Sequence, residues 1–193
     1  MSIAAKLFIV SGPSGCGKTT LAKFITDTVP NCVFSKSMTT RSVREGEIDD
    51  NYDHVGTDEF RRLISEDYFL EYEEVYRDRY YGTPRRPVEE ALNCGKNVVM
   101  EIDVRGAARV KQVFPKQSTS IFVYPPSLEV LKDRLTRRGK MSEEDVQERL
   151  GRAVMEMLAS SDYDYVVVND DLVKALSEVT QIINTHVPHK IRE

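Results

Sequence analysis

The sequence predicts an α/β fold of three layers, with a central, mainly parallel sheet of about five strands flanked by helices. Short apolar runs rich in β-branched and aromatic residues recur along the chain, and patterns of helical length separate them. Strands joined by crossovers of that length pair in parallel, because a tight hairpin can return the chain only antiparallel. Proline, glycine and serine stand at the segment boundaries and mark where each element stops.

Taken in order, residues 6–10 form the first strand candidate and precede a helical pattern over Lys18–Thr28. Residues 97–102, 120–124 and 165–169 are the other clear strands, and 33–38 is a weaker fifth. Further helical patterns cover 128–138, 142–160 and 171–184. Pro125 and Pro126 close a strand, Ser127 can cap the helix that follows, and Gly139 stops it. Ser142 with Asp145 three residues on reads as a capping box, so 128–152 forms a helix-turn-helix arm. Residues 39–88 lack a clean strand-helix alternation, are rich in charge and tyrosine, and read as an inserted subdomain. The core then comprises 1–38, 89–127 and 153–193 of a single domain.

At 193 residues the chain is long enough to bury a sizeable core. Its 27 basic residues against 31 acidic ones give −4, without the basic excess of a nucleic-acid binder, so local basic sites must carry any anion recognition. No apolar run approaches the roughly 20 residues a membrane span requires, and residues 1–10 show no cleavage site of a secretory leader. Cys16, Cys32 and Cys94 are odd in number and lack CxxC spacing, which suits free thiols in a reducing cytoplasm. His54, His186 and His189 do not join them in ligand spacing, so a metal held by protein ligands alone is not expected, and His186 and His189 read as a frayed end.

The sharpest motif is Gly12-Pro13-Ser14-Gly15-Cys16-Gly17-Lys18-Thr19, a complete G-x-x-x-x-G-K-[ST] phosphate loop between a strand and a helix. Glycines let successive backbone N–H groups turn inward around a polyphosphate, and the helix N-terminus adds its dipole. Lys18 can reach the β and γ oxygens and the Thr19 hydroxyl can ligate Mg²⁺. The bare pattern arises by chance on the order of once per hundred chains, and its strand-helix context favours function. Cys16 reads as a small filler; a thiol made reactive by the helix N-terminus and a nearby cation is the alternative.

Beyond the loop, Ser37-Met38-Thr39-Thr40-Arg41-Ser42-Val43-Arg44-Glu45-Gly46-Glu47, Phe69-Leu70-Glu71 and Tyr80-Tyr81-Gly82-Thr83 resemble the acceptor-site signature of guanylate kinases. The likeness continues through Glu101-Ile102-Asp103-Val104-Arg105-Gly106, Pro125-Pro126-Ser127, Arg134 to Gly139, Arg149-Leu150 and Asn169-Asp170, over roughly residues 7–183. The resemblance implies a nucleotide kinase with ATP as donor, GMP as acceptor and Mg²⁺ as cofactor. It makes the 39–88 insert a GMP-binding subdomain with β character and the 128–152 arm a lid. Arg41, Arg44, Tyr52 and Tyr81 would hold the GMP phosphate, while Ser37, Glu71, Thr83 and Asp103 would contact guanine. A carboxylate at Glu71 can accept from the N1–H and the exocyclic amine of guanine, a donor pair adenine lacks. Lys18, Arg44, Arg138 and Arg149 become the catalytic cations. The ATP site takes in Gly12 to Thr20, with Thr20, Arg134, Arg138, Asn169 and Asp170 beyond the motif itself; Asp170 or Asp171 reads equally well as a helix N-cap. Glu101 and Asp103 would reach the Mg²⁺ through water.

The chain departs from the family pattern in a shorter 48–51 loop, a longer 75–80 segment, Glu101 in place of the usual Asp and Arg105 in place of Gln. Arg152 reads as an ordinary helix-face partner of Glu148 at i,i+4, whereas for Arg149, at the same spacing from Asp145, the resemblance implies a lid arginine instead. Two rival readings keep the fold: an inactive guanylate-kinase-like module that binds peptides, and a related kinase with another small acceptor. No nucleic acid or membrane partner is expected, and the chain reads as a monomer or small homo-oligomer.

Overall fold

The computed structural model describes residues 5–43, 51–137 and 142–187. Arg44 and Arg138, with the rest of 44–50 and 138–141, lie outside the described residues, as does His189.

Strand β1 (Leu7–Ser11) is buried along its whole length, as expected where a parallel sheet is covered on both faces. It stands at the centre of a five-stranded sheet with β2 (Cys32–Phe34), β7 (Asn97–Glu101), β8 (Ser118–Tyr124) and β9 (Tyr165–Val168), in the order β2-β7-β1-β8-β9 and parallel throughout. Alternation along β1 sends Phe8 and Val10 to one face and Leu7 and Ile9 to the other. On the first face they meet α1 (Lys18–Thr28) through Leu21, Ala22 and Ile25, and α7 (Leu172–His186) through Ala175 and Val179. On the second they meet α3 (Arg85–Asn93) through Val88 and Leu92, and α4 (Val104–Val113) through Val110. The three layers are therefore helix, sheet and helix.

A second sheet is built from β3 (Ser37–Thr39), β4 (Tyr52–His54), β5 (Phe69–Tyr76) and β6 (Arg79–Pro84), in the order β4-β3-β6-β5, with only β3 and β4 parallel. Helix α2 (Thr57–Ser65) closes it by packing Phe60 and Leu63 on Phe69, the Phe60 and Phe69 rings stacking at 4.4 Å. The single strand expected over 33–38 is in fact two. Val33 pairs with Val98 in the large sheet while Ser37 pairs with Tyr52 in the small one, so the chain changes sheets at Ser35 and Lys36. Periodicity cannot reveal such a break, because both fragments are short and half apolar. The small sheet draws its strands from residues 37–84, against an insert read as 39–88.

Helices α2, α3 and α4 were not expected from the sequence. Each is a short helix of nine or ten residues with two or three buried positions on one face. The arm forms α5 (Leu128–Arg137) and α6 (Glu143–Leu158), followed by a short 3₁₀ turn over Ala159–Asp162. The Ser142–Asp145 capping box is present and Ser127 Oγ accepts the Val130 N–H. Against the frayed end expected, His186 lies in α7, its Nε2 3.0 Å from the Tyr165 hydroxyl of β9. No helix among the described residues is long and apolar enough to cross a membrane.

Candidate active site

The phosphate loop leaves β1 at Ser11 and turns into α1 at Lys18. Gly17 stands at the helix N-cap with φ 102°, in the left-handed region that favours glycine. A Cβ there would also meet Asn169 Nδ2 at 2.2 Å. That amide donates to the Cys16 carbonyl at 2.8 Å, and Arg134 in turn donates to the Asn169 carbonyl at 2.9 Å. Asn169 and Arg134 thus brace the loop from behind. Asp170 is exposed, and the α7 cap is Asp171, which accepts from the Lys174 N–H.

The Lys18 ammonium donates to the carbonyls of Gly12 and Pro13 at 2.7 and 2.9 Å. Two of its three donors are engaged with the loop, which aims the cation across the loop's mouth. The Thr19 hydroxyl donates to Glu101 Oε1 at 3.0 Å, bringing a hydroxyl and a carboxylate together beside the loop. Arg149 of α6 donates to Ser14 Oγ at 3.3 Å, so the arm already touches the loop. Cys16 is fully buried and burial pushes its thiol up, which corrects the reactive alternative and leaves it as filler.

Across from the loop the small sheet presents Glu71, 5% exposed, on β5. Thr83 of β6 donates its hydroxyl to Glu71 Oε1 at 2.6 Å, and Ser37 Oγ lies 3.4 Å from the same hydroxyl. Burial is the main cause that raises the Glu71 carboxyl to about 7; the Thr83 bond opposes it, Asp103 adds to it and Arg109 opposes it. Tyr52 and Tyr81 meet edge to face with centroids 5.9 Å apart, and the Arg41 guanidinium lies 5.5 Å from the Tyr52 ring. Asp103 caps α4, one carboxylate oxygen accepting the N–H groups of Arg105 and Gly106 at 2.9 Å each.

These two groups line one cleft. Gly12, Ser14, Gly15, Gly17, Lys18, Thr19, Glu101 and Arg149 form one side of it, and Ser37, Arg41, Tyr52, Glu71 and Tyr81 the other, with Asp103 between. Pro13, Cys16, Thr20, Thr83, Arg134, Asn169 and Asp170 do not line it: Thr83 lies behind Glu71, and Thr20 is exposed on α1. Sequence reasoning missed Val75, Arg79, Ile102, Arg152 and Glu156, which also line the cleft. Arg152 is no mere helix-face partner of Glu148. It pairs with Glu156 at 2.6 Å and donates to the Val75 carbonyl, joining α6 to β5. The i,i+4 spacing of Arg152 and Glu156 was visible in the sequence, but nothing there showed that Glu156 is 9% exposed.

Thr19, Glu101 and Asp103 offer the hard oxygen donors that suit Mg²⁺. Among the described residues there is no group of three or more His, Cys, Asp or Glu that could hold a metal ion.

A glycine-rich loop at the end of a central parallel strand, opening onto a cleft shared with a second sheet, defines a phosphate-loop kinase. The fold is similar to that of shikimate kinase from Bacteroides thetaiotaomicron, with a TM-score of 0.53 at 15% identity, covering 93% of this chain and 97% of that one. It is more similar to a crystal structure of guanylate kinase from Anaplasma phagocytophilum, with a TM-score of 0.77 at 30% identity over 99% and 90% of the two chains. The family model for Guanylate kinase matches residues 4–186. Guanylate kinases of Synechocystis sp. and Oceanobacillus iheyensis are 45% and 46% identical, over 94% and 93% of this chain and 95% and 86% of theirs. The chain belongs to the guanylate kinase family.

Proposed function

We propose that this protein transfers the γ-phosphoryl group of ATP to GMP, giving ADP and GDP. The single observation that carries the choice of acceptor is the buried Glu71 carboxylate, held by Thr83, in the cleft that an intact phosphate loop opens onto. An oxygen of the GMP phosphate attacks the γ-phosphorus, and the bond from that phosphorus to the β–γ bridging oxygen breaks as ADP leaves. No protein nucleophile is needed, so the residues position the reactants and neutralise spread charge.

In this reading the loop amides and Lys18 hold the ATP phosphates, and Arg149, already at the loop, approaches the transferring group from α6. Arg41, Tyr52 and Tyr81 take the acceptor phosphate, with Ser37, Thr83 and Asp103 around the base. The family resemblance adds Arg44 and Arg138. Thr19 would hold Mg²⁺, with Glu101 and Asp103 through water; the ion supplies charge neutralisation at the β and γ phosphates when bound. The 39–88 subdomain and the 128–152 lid are the parts that close and expel water, which otherwise hydrolyses ATP. Both halves of the cleft come from one chain, which supports activity in a monomer or small homo-oligomer. The free cysteines support a reducing, cytoplasmic setting. The intact loop and cleft argue against a peptide-binding module.

A coupled assay with ATP and each of the four ribonucleoside monophosphates tests the assignment. Turnover with GMP far above the other three is the expected result. Equal use of another monophosphate, or no turnover at all, would overturn it.

A further inference from the structure

Along β5, buried Glu71 and Glu73 alternate with exposed Tyr72 and Glu74, so the two carboxylates project to one side. Both meet α4. At Gly106, in the first turn of that helix, a Cβ would stand 2.4 Å from Glu71 Oε2 and 3.0 Å from its Cδ. The glycine is required for space: Glu71 is seated directly against helix backbone. Two residues along, Glu73 is 8% exposed and is gripped by Arg105 at 2.7 Å and Arg109 at 3.4 Å. Arg109 also donates to the Tyr72 carbonyl and lies 5.5 Å from the Tyr72 ring. The cross-strand partners of Glu71 and Glu73 are Thr83 and Tyr81, so β5 carries the register of the acceptor face.

A buried carboxylate between two guanidinium groups is held in place, because displacing it leaves a desolvated charge without its partners. The tolerance at Gly106 is small: sliding β5 along α4 by a fraction of an ångström drives Glu71 into the helix or lifts it away. We propose that Glu73, clamped by Arg105 and Arg109, is a positioning residue that registers β5 on α4 and seats the Glu71 carboxylate over Gly106 in the geometry that reads guanine. This rests on the assignment of Glu71 to the guanine edge. Guanine offers Glu71 an N1–H and a 2-amino group, whereas hypoxanthine offers the N1–H alone, so a well-seated carboxylate separates GMP from IMP.

The test compares steady-state kinetics of Glu73→Ala, Glu73→Gln and Gly106→Ala with the unaltered protein, using GMP, IMP and ATP as varied substrates. Glu73→Ala is expected to raise KM for GMP about five- to tenfold, leave KM for ATP within about twofold, and narrow the preference for GMP over IMP by a similar factor. Glu73→Gln, which keeps an acceptor for Arg105, recovers most of the loss. Gly106→Ala gives the same split with a larger rise. An unchanged KM for GMP in Glu73→Ala, or equal rises for GMP and ATP, overturns the proposal. If Glu73→Ala does not fold, Arg105→Ala decides, since that side chain is 74% exposed: about a threefold rise for GMP alone supports the clamp, and no rise refutes it. Glu71→Gln is the control that separates the two ideas, because its failure to weaken GMP sinks the assignment of Glu71 rather than the clamp.

Discussion

The side-chain amide of Asn169, just beyond β9, donates to the main-chain carbonyl of Cys16 at 2.8 Å, across 153 positions of sequence. The contact exists only because Gly17 has no side chain in its path. With Arg134 on its own carbonyl, Asn169 ties the phosphate loop to the far strand of the large sheet and to α5.

Replacing this residue should loosen the loop without touching the acceptor side. Asn169→Ala is expected to cost about 1–2 kcal/mol of stability and to raise KM for ATP about threefold or more, while GMP binding measured by calorimetry stays within about twofold. A variant with unaltered KM for ATP would show that the brace does not matter to the donor site.

Lys18 is held on the loop's own carbonyls, and in the proposed reaction it meets the donor phosphates. Lys18→Ala should lose on the order of 10²–10³-fold in kcat, by analogy with removal of a positioned donor to developing charge. GMP should still bind, since Glu71 and Tyr81 stand on the other side of the cleft. Retained turnover would refute the role.

The Glu71 carboxyl is raised to about 7 by burial, and under the proposed assignment it must be ionised to accept both guanine donors. GMP binding should therefore weaken as pH falls below 7, towards about tenfold per pH unit, and release a proton when it occurs near pH 6.5. KM for GMP against pH, with calorimetry in two buffers of different ionisation enthalpy, measures both effects. The groups facing Glu71 are Thr83 and Ser37 from the sheet, and Asp103 and Arg109 from α4.

The same shift has a consequence for the nucleotide-free protein, with the sign set by proton binding. Between about pH 4.5 and 7 the folded state holds the Glu71 proton and the unfolded state does not, so this group's contribution to stability falls as pH rises through that window. Above pH 7 the cost is on the order of 3 kcal/mol at most. Glu71→Gln should therefore melt higher than the parent at pH 8, with the gap closing at pH 5. A gap independent of pH would mean that Glu71 is not held protonated by its surroundings.

Much of the fold was legible because the central parallel strand, buried on both faces, is a short apolar run at 7–10, and the edge strand Tyr165–Val168 is an unbroken β-rich run even though Val166 and Val168 are exposed. The boundaries of α1 were legible from the glycine loop before it, and α6 announced itself by the Ser142–Asp145 box. What escaped was local in sequence but resolved only by partners elsewhere. Residues 33–38 split because Phe34 finds Val99 and Ser37 finds Tyr52. Arg152 faces the cleft because α6 brings it against the Val75 carbonyl. Neither choice leaves a mark in the periodicity of its own segment.

The order of residues alone determined the phosphate loop with its strand and helix, since those depend on backbone torsion, and through the family resemblance it named the side chains proposed to choose guanine. Tertiary structure alone decided which carboxyl is dehydrated, where Arg152 and Asn169 point, and how closely Glu71 approaches α4. Burial and fit are properties of surfaces brought together from distant parts of the chain, and no window of sequence contains both surfaces.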